Sequence, residues 1–126
     1  MMKNKEMFEV KYEYDADADA IFIKKQIDYK YNISVELNNN VIMDFDKNNQ
    51  PVALEILNAS KVLNVGKFSL KRINSVDLTI VVNKDLICVN GNIVVEVHNK
   101  ETELFLEPST TNDLGMPDFT VELATA

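Results

Sequence analysis

Apolar residues recur at every second position over most of this chain. Phe8, Val10, Tyr12 and Tyr14 alternate with Glu9, Lys11 and Glu13, as in a strand with one face in a core and the other in water. Ile33, Val35 and Leu37 repeat the pattern, followed by Val41, Met43 and Phe45 and by Val52, Leu54 and Ile56. The later half has Leu78, Ile80 and Val82, then Ile93, Val95 and Val97, then Leu104 and Leu106, and finally Phe119, Val121 and Leu123. Turn residues separate these runs: "NNN" at 38–40, "DKNNQP" at 46–51 and "VNGN" at 89–92. Asn90-Gly91 is the strongest turn signal, because both residues accept the positive φ of a type I′ hairpin. It would pair "DLICV" with "NIVVEV". Only "NASKVLNV" (58–65) reads as helix, with Asn58 or Ser60 as N-cap. The expected fold is mainly β, built of antiparallel sheets with one short helix near 58–65.

An internal repeat organises these strands. "SVELNNNVIMDFDKNNQPVALE" (34–55) lies over "LICVNGNIVVEVHNKETELFLE" (86–107) at a fixed, ungapped offset. Leu37 meets Val89, Asn38 meets Asn90, and Val41–Phe45 meets Ile93–Val97. Upstream, "FEVKY" (8–12) pairs with "FSLKR" (68–72), and "DAIFI" (19–23) with "DLTIV" (77–81). A tandem duplication predicts two related β units about a pseudo-twofold axis: residues 1–66, then a shorter, diverged unit over 67–108. A loop and terminal strand fill 109–126, with that strand returning to a sheet edge. The whole is expected to be one compact domain.

Charge narrows the function. Twenty acidic against 13 basic residues leave a net charge of −7 over 126 residues. Both halves are mildly acidic, and no basic run is present to neutralise phosphates, so a nucleic-acid partner is disfavoured. No apolar run approaches the ~20 residues of a membrane span, and the N-terminus carries no signal-like stretch. The lone Cys88 has no cysteine to pair with. The expectation is a soluble, cytoplasmic protein without a membrane partner.

Two stretches carry a family resemblance. "YDADADAIFI" (14–23) and "VIMDFDKNNQPVALEILNAS" (41–60) resemble a prokaryotic family catalogued as domain of unknown function 2283. Its members show a tyrosine-aspartate turn leading into an aspartate-initiated strand, then a strand-turn-strand ending in a short alanine-serine segment. The resemblance covers residues 8–65. Asn48-Asn49 stands where the family usually has a turn glycine, and everything from Lys67 onward lies outside the match. The family supplies no activity and no catalytic residues. It implies partner binding as a class, including an antitoxin-like accessory role covering a cognate protein.

The densest chemistry is "DADADA" at 15–20. Asp15, Asp17 and Asp19 are the candidate metal ligands. An EF-hand would also need glycine and a bidentate acid where Ala20 and Gln26 stand, and helices where strands are expected. "DFDKNNQPVALE" (44–55) fits the letters better, but its strand flanks carry Glu55 down a sheet. On an extended strand the three aspartates would share a face with neighbours ~6.5–7 Å apart, with Lys24 or Lys25 to offset their charge. The competing reading is an Asx-turn made by Asp15 or Asp17, reversing the chain between two strands. His98 and Cys88 are not neighbours in the expected pairing, so they form no zinc site. No nucleophile-base set can be assembled. The expectation is therefore a non-enzymatic protein without cofactor, a protein-interaction or structural module acting through a sheet face or edge, as a homodimer or with a protein partner. Small-ligand or cation binding at the acidic turn is the competing reading.

Overall fold

A computed structural model describes residues 6–125 of the chain. Its strands are β1 (Glu6–Asp15), β2 (Ala20–Lys25), β3 (Tyr31–Asn38), β4 (Val41–Asp46) and β5 (Pro51–Ile56). Two four-residue helices follow, α1 (Ala59–Val62) and α2 (Lys67–Leu70). Then come β6 (Ile73–Val82), β7 (Leu86–Val97), β8 (Lys100–Leu106), β9 (Ser109–Thr111) and β10 (Phe119–Ala124). The fold is mainly β, as the alternation predicts.

All ten strands join one sheet in the order β3-β4-β5-β2-β1-β10-β6-β7-β8, with β9 beside β8 on the same edge of β7. Every ladder is antiparallel except β1 with β10. β1 is the joint: Glu6–Glu9 run parallel to β10, and Val10–Asp15 run antiparallel to β2. The sheet curls until β3 lies against β9. The inward residues of both halves merge into one core, with Phe45, Met43, Ile21, Ile80, Ile93 and Leu123 fully buried.

Four expectations are corrected. First, Asn90-Gly91 is no turn; it lies in the middle of the 12-residue strand β7. Asn90 pairs with Thr79, and Gly91 pairs with both Leu78 and Leu106. A Cβ on Gly91 would come within 2.6 Å of Leu106 Cδ2 and 3.0 Å of Leu78 Cδ2. The glycine makes room for leucines rather than a left-handed turn. The β7–β8 hairpin turns instead at His98-Asn99, both with positive φ (52° and 64°), the signature of a type I′ turn. The β6–β7 turn is an Asx-turn, in which Asn83 Oδ1 accepts the amides of Asp85 and Leu86.

Second, the short helix expected near 58–65 is present as α1, but its cap differs: Asn58 at the N-cap sits left-handed (φ 51°) and makes no capping bond through its side chain. Third, the terminal strand does not take an edge: β10 is inserted between β1 and β6. Fourth, the repeat does not carry through to the pairing. Asn38–Asn40 turns a hairpin while Asn90–Asn92 continues a strand, and "FEVKY" lies in β1 while "FSL" lies in α2. β2 pairs with β5, whereas β6 pairs with β7 rather than β8. Strand still overlies strand at β2 on β6 and β3 on β7, and the β4–β5 hairpin overlies the β7–β8 hairpin.

Candidate functional site

The acidic corner joins β1 to β2, and its three carboxylates take three different roles. Asp15 Oδ1 accepts the backbone amides of Asp17 and Ala18 at 3.0 and 3.1 Å. This is the Asx-turn. Asp17 is exposed and contributes only its amide to that turn. Asp19 is buried, with a left-handed backbone (φ 52°) that aspartate tolerates better than most residues. Its Oδ2 accepts the Ser60 hydroxyl at 2.7 Å, and its Oδ1 accepts the Ser60 amide at 3.1 Å and the Tyr14 hydroxyl at 2.8 Å. Its backbone carbonyl accepts the Ala59 amide at 2.8 Å.

Asp19 therefore ties the β1–β2 corner to the start of α1, doing the capping that Asn58 does not. Burial alone would push its carboxyl up; the Ser60 and Tyr14 hydroxyls, the Ser60 amide and the charge of Lys67 together hold it below the ordinary aspartate value. The same contact acts on Tyr14 in the opposite sense. Burial, the bond to Asp19 and the charges of Asp19 and Asp15 push its phenol up to about 12. Among the described residues, no group of three or more acids, histidines or cysteines is gathered to hold a metal ion. Lys24 and Lys25 do not offset the aspartates, because they lie at the far end of β2. Cys88 and His98 are likewise apart: Cys88 pairs with Val81 and Ser109 inside the sheet, and His98 is in the β7–β8 turn.

The outward face of β1, β2, β5 and β4 carries a different arrangement. Lys11, Lys24, Ala53 and Asp44 are successive cross-strand partners in one row. Two residues along, Glu13, Phe22, Glu55 and Ile42 form the next. The rows border a groove of about 640 Å³ to which Tyr29 of the β2–β3 loop also contributes. Phe22 is 38% exposed there, with an acid on each flanking strand. Lys11 directly opposes Lys24, a like-charge pairing that costs stability in an isolated sheet. Burial, then the charge of Asp44, raise the Tyr29 phenol above its ordinary value.

Residues 11–60 match the sequence profile of a family described as protein of unknown function (DUF2283). A Methanosarcina mazei protein carrying the name "Putative hypoxanthine phosphoribosyltransferase" is 31% identical over 107 residues, 85% of each chain. The chain belongs to the DUF2283 family. "Uncharacterized protein MJ0789" of Methanocaldococcus jannaschii is 34% identical over 93 residues, 73% of this chain and 78% of its own. No solved structure matches.

The DUF2283 match begins in β1 and ends at Ser60, the residue that Asp19 grips. Its span covers the β1–β2 corner, all of β2–β5 and the start of α1. Asn49, standing where the family usually has glycine, has φ 60°, so asparagine fills the left-handed turn position. Asp46 Oδ1 closes the same turn by accepting the amides of Asn48 and Gln50. The 107 residues shared with the M. mazei protein exceed this span, so the likeness reaches into the second half of the sheet. Sequence reasoning missed the Lys11–Lys24 and Glu13–Phe22–Glu55 rows. The alternation of charged residues with the β1 and β2 core positions was visible, but their register across strands was not. Among the described residues, no helix is long and apolar enough to cross a membrane.

Proposed function

We propose that this DUF2283 protein is a non-enzymatic protein-interaction module acting through the outward face of β1, β2, β5 and β4, with a second copy of itself as partner. The observation that carries the reading is the pair of charge rows around exposed Phe22. The row with Lys11 and Lys24, which ends in Asp44, and the row with Glu13 and Glu55 lie two residues apart across the four strands. A copy related by a twofold axis between the rows and parallel to them lays Lys11 on Glu13, and Lys24 on Phe22 with Glu13 and Glu55 to either side. Such a surface is self-complementary, as an isologous dimer requires. The same pairing would relieve the Lys11–Lys24 repulsion. The name of the M. mazei relative is not carried to this chain. The groove is lined by lysines, acids, Phe22 and two tyrosines, with no glycine-rich loop of the kind that cradles a phosphate. The family resemblance also points to a cognate protein partner, which would use the same face.

Light scattering on the purified chain is the test. The reading expects a mass twice the 14.3 kDa of one chain, falling to the monomer on Phe22→Glu and shifting toward monomer as salt rises. Phe105, 65% exposed on β8, supplies the control: Phe105→Ser leaves the mass unchanged. A monomer at millimolar concentration, together with no stoichiometric partner recovered by a tagged chain from native cells, overturns the reading.

A further inference from the structure

Three charged side chains are buried among the described residues: Asp19, Asp46 and Lys25. The two aspartates each spend a carboxylate oxygen on backbone amides or hydroxyls. Lys25 is 4% exposed, and no carboxylate of the described residues lies within ion-pair distance of it. Its Nζ rests 3.6 Å from the centroid of the Phe8 ring. The Lys25 stem is buried while its ammonium keeps contact with solvent, within the fields of Asp46 and Glu6 and without a direct ion pair.

Beside it lies a cavity of about 440 Å³, roofed by the β2–β3 loop and the β4–β5 turn. Phe8, Ile27 and Val52 give it apolar walls, while Lys25, Lys30 and Lys47 stand against Asp28 and Asp46. Three lysines against two aspartates leave the lining at +1 in a chain whose net charge is −7. Its size falls within the ~300–1,000 Å³ of small-molecule sites.

The geometry points to this cavity as a binding site for a small monocarboxylate with an apolar body. The carboxylate meets Lys25 Nζ, and the apolar part packs between Phe8, Ile27 and Val52. A single surplus positive charge suits a monoanion. A phosphate dianion would meet Asp28 and Asp46 with charge to spare. Burial holds the Lys25 amine below its ordinary value against the pull of Asp46 and Glu6, and a bound carboxylate would oppose that loss of charge. Phe22 does not line this cavity; Tyr29 borders both it and the outward groove.

Titration of the ¹⁵N-labelled full chain with sodium hexanoate tests it, with hexanol and inorganic phosphate as parallel probes. The expected result is saturable movement of the amides at 27–30 and 46–50 with hexanoate, and at least tenfold weaker effects from the other two probes. Lys25→Met keeps the side-chain volume and removes the cation; it should weaken hexanoate about ten- to a hundredfold, the loss of one charge-assisted contact. Lys25→Arg should retain binding, Lys24→Met should not affect it, and Phe22→Glu should leave it intact whatever the oligomeric state. Hexanol binding as well as hexanoate, undiminished binding to Lys25→Met, or shifts that never saturate would each overturn the assignment.

Discussion

Asp19→Ala separates a structural corner from a cation site. The substitution removes the acceptor of three hydrogen bonds, from the Ser60 hydroxyl, the Ser60 amide and the Tyr14 hydroxyl. Hydrogen bonds to a charged group contribute about 1.5–3 kcal/mol each, though bonds sharing one carboxylate do not add. Alanine at φ 52° costs a further ~1–2 kcal/mol. A loss of about 4 kcal/mol is therefore expected, within the ~5–15 kcal/mol that a domain holds in total. Asp19→Asn keeps a residue suited to the left-handed backbone and one acceptor oxygen, so it should lose about half as much. Asp17→Ala, at an exposed position, should change stability by less than ~0.5 kcal/mol.

The assay is urea unfolding followed by circular dichroism, at neutral pH and again in acid. The Asp19 carboxyl is held below its ordinary value in the fold, so the unfolded chain binds that proton more readily. Its contribution is complete above the unfolded value and disappears as pH falls through the folded one. The gap between wild type and Asp19→Asn should thus close in strong acid. A cation site predicts another pattern, in which calcium or manganese raises the melting temperature of wild type and Asp17→Ala removes the effect. Equal losses at Asp17 and Asp19, or an Asp19→Ala loss below ~1 kcal/mol, would refute the account of the corner.

Gly91→Ala should cost about 1–3 kcal/mol in thermal or urea unfolding, because its Cβ would meet Leu106 and Leu78. Gly91→Asn should be worse still; tolerance of asparagine would restore the hairpin reading of Asn90-Gly91. Removing residues 119–126 should unfold the whole chain by circular dichroism, since β10 bridges β1 and β6 and buries Val121 and Leu123 completely. An edge strand would be lost at far smaller cost. An alkaline ultraviolet titration should show one tyrosine ionising near pH 12, and Tyr14→Phe should remove that step and cost about 1 kcal/mol.

Local chemistry made much of the first half legible. Alternation marked β1, β4 and β5, because a strand with one buried face records its inside and outside in consecutive residues. Asp15 forms the Asx-turn open to it in the sequence, since the bond spans only two or three residues and needs no distant partner. Asn49 turns left-handed for the same local reason.

What failed depended on neighbours far along the chain. Asn90-Gly91 has every local mark of a turn, yet ladders on both sides of β7 hold it extended, and Leu78 and Leu106 fill the space the glycine leaves. The β10 pattern looked like any edge strand, because period two records that a face is buried but not which strands flank it. Asp19 read as one of three like carboxylates until the fold brought Ser60, 41 residues away, against it. Lys25 read as one of two adjacent lysines; only the closure of the sheet around Phe8 and the β4–β5 turn made it a buried side chain beside a cavity. The sequence by itself set the strands and the short-range turns, whose bonds close within a few residues. The tertiary structure decided strand order and which charges are buried, since both depend on contacts between residues distant in the chain.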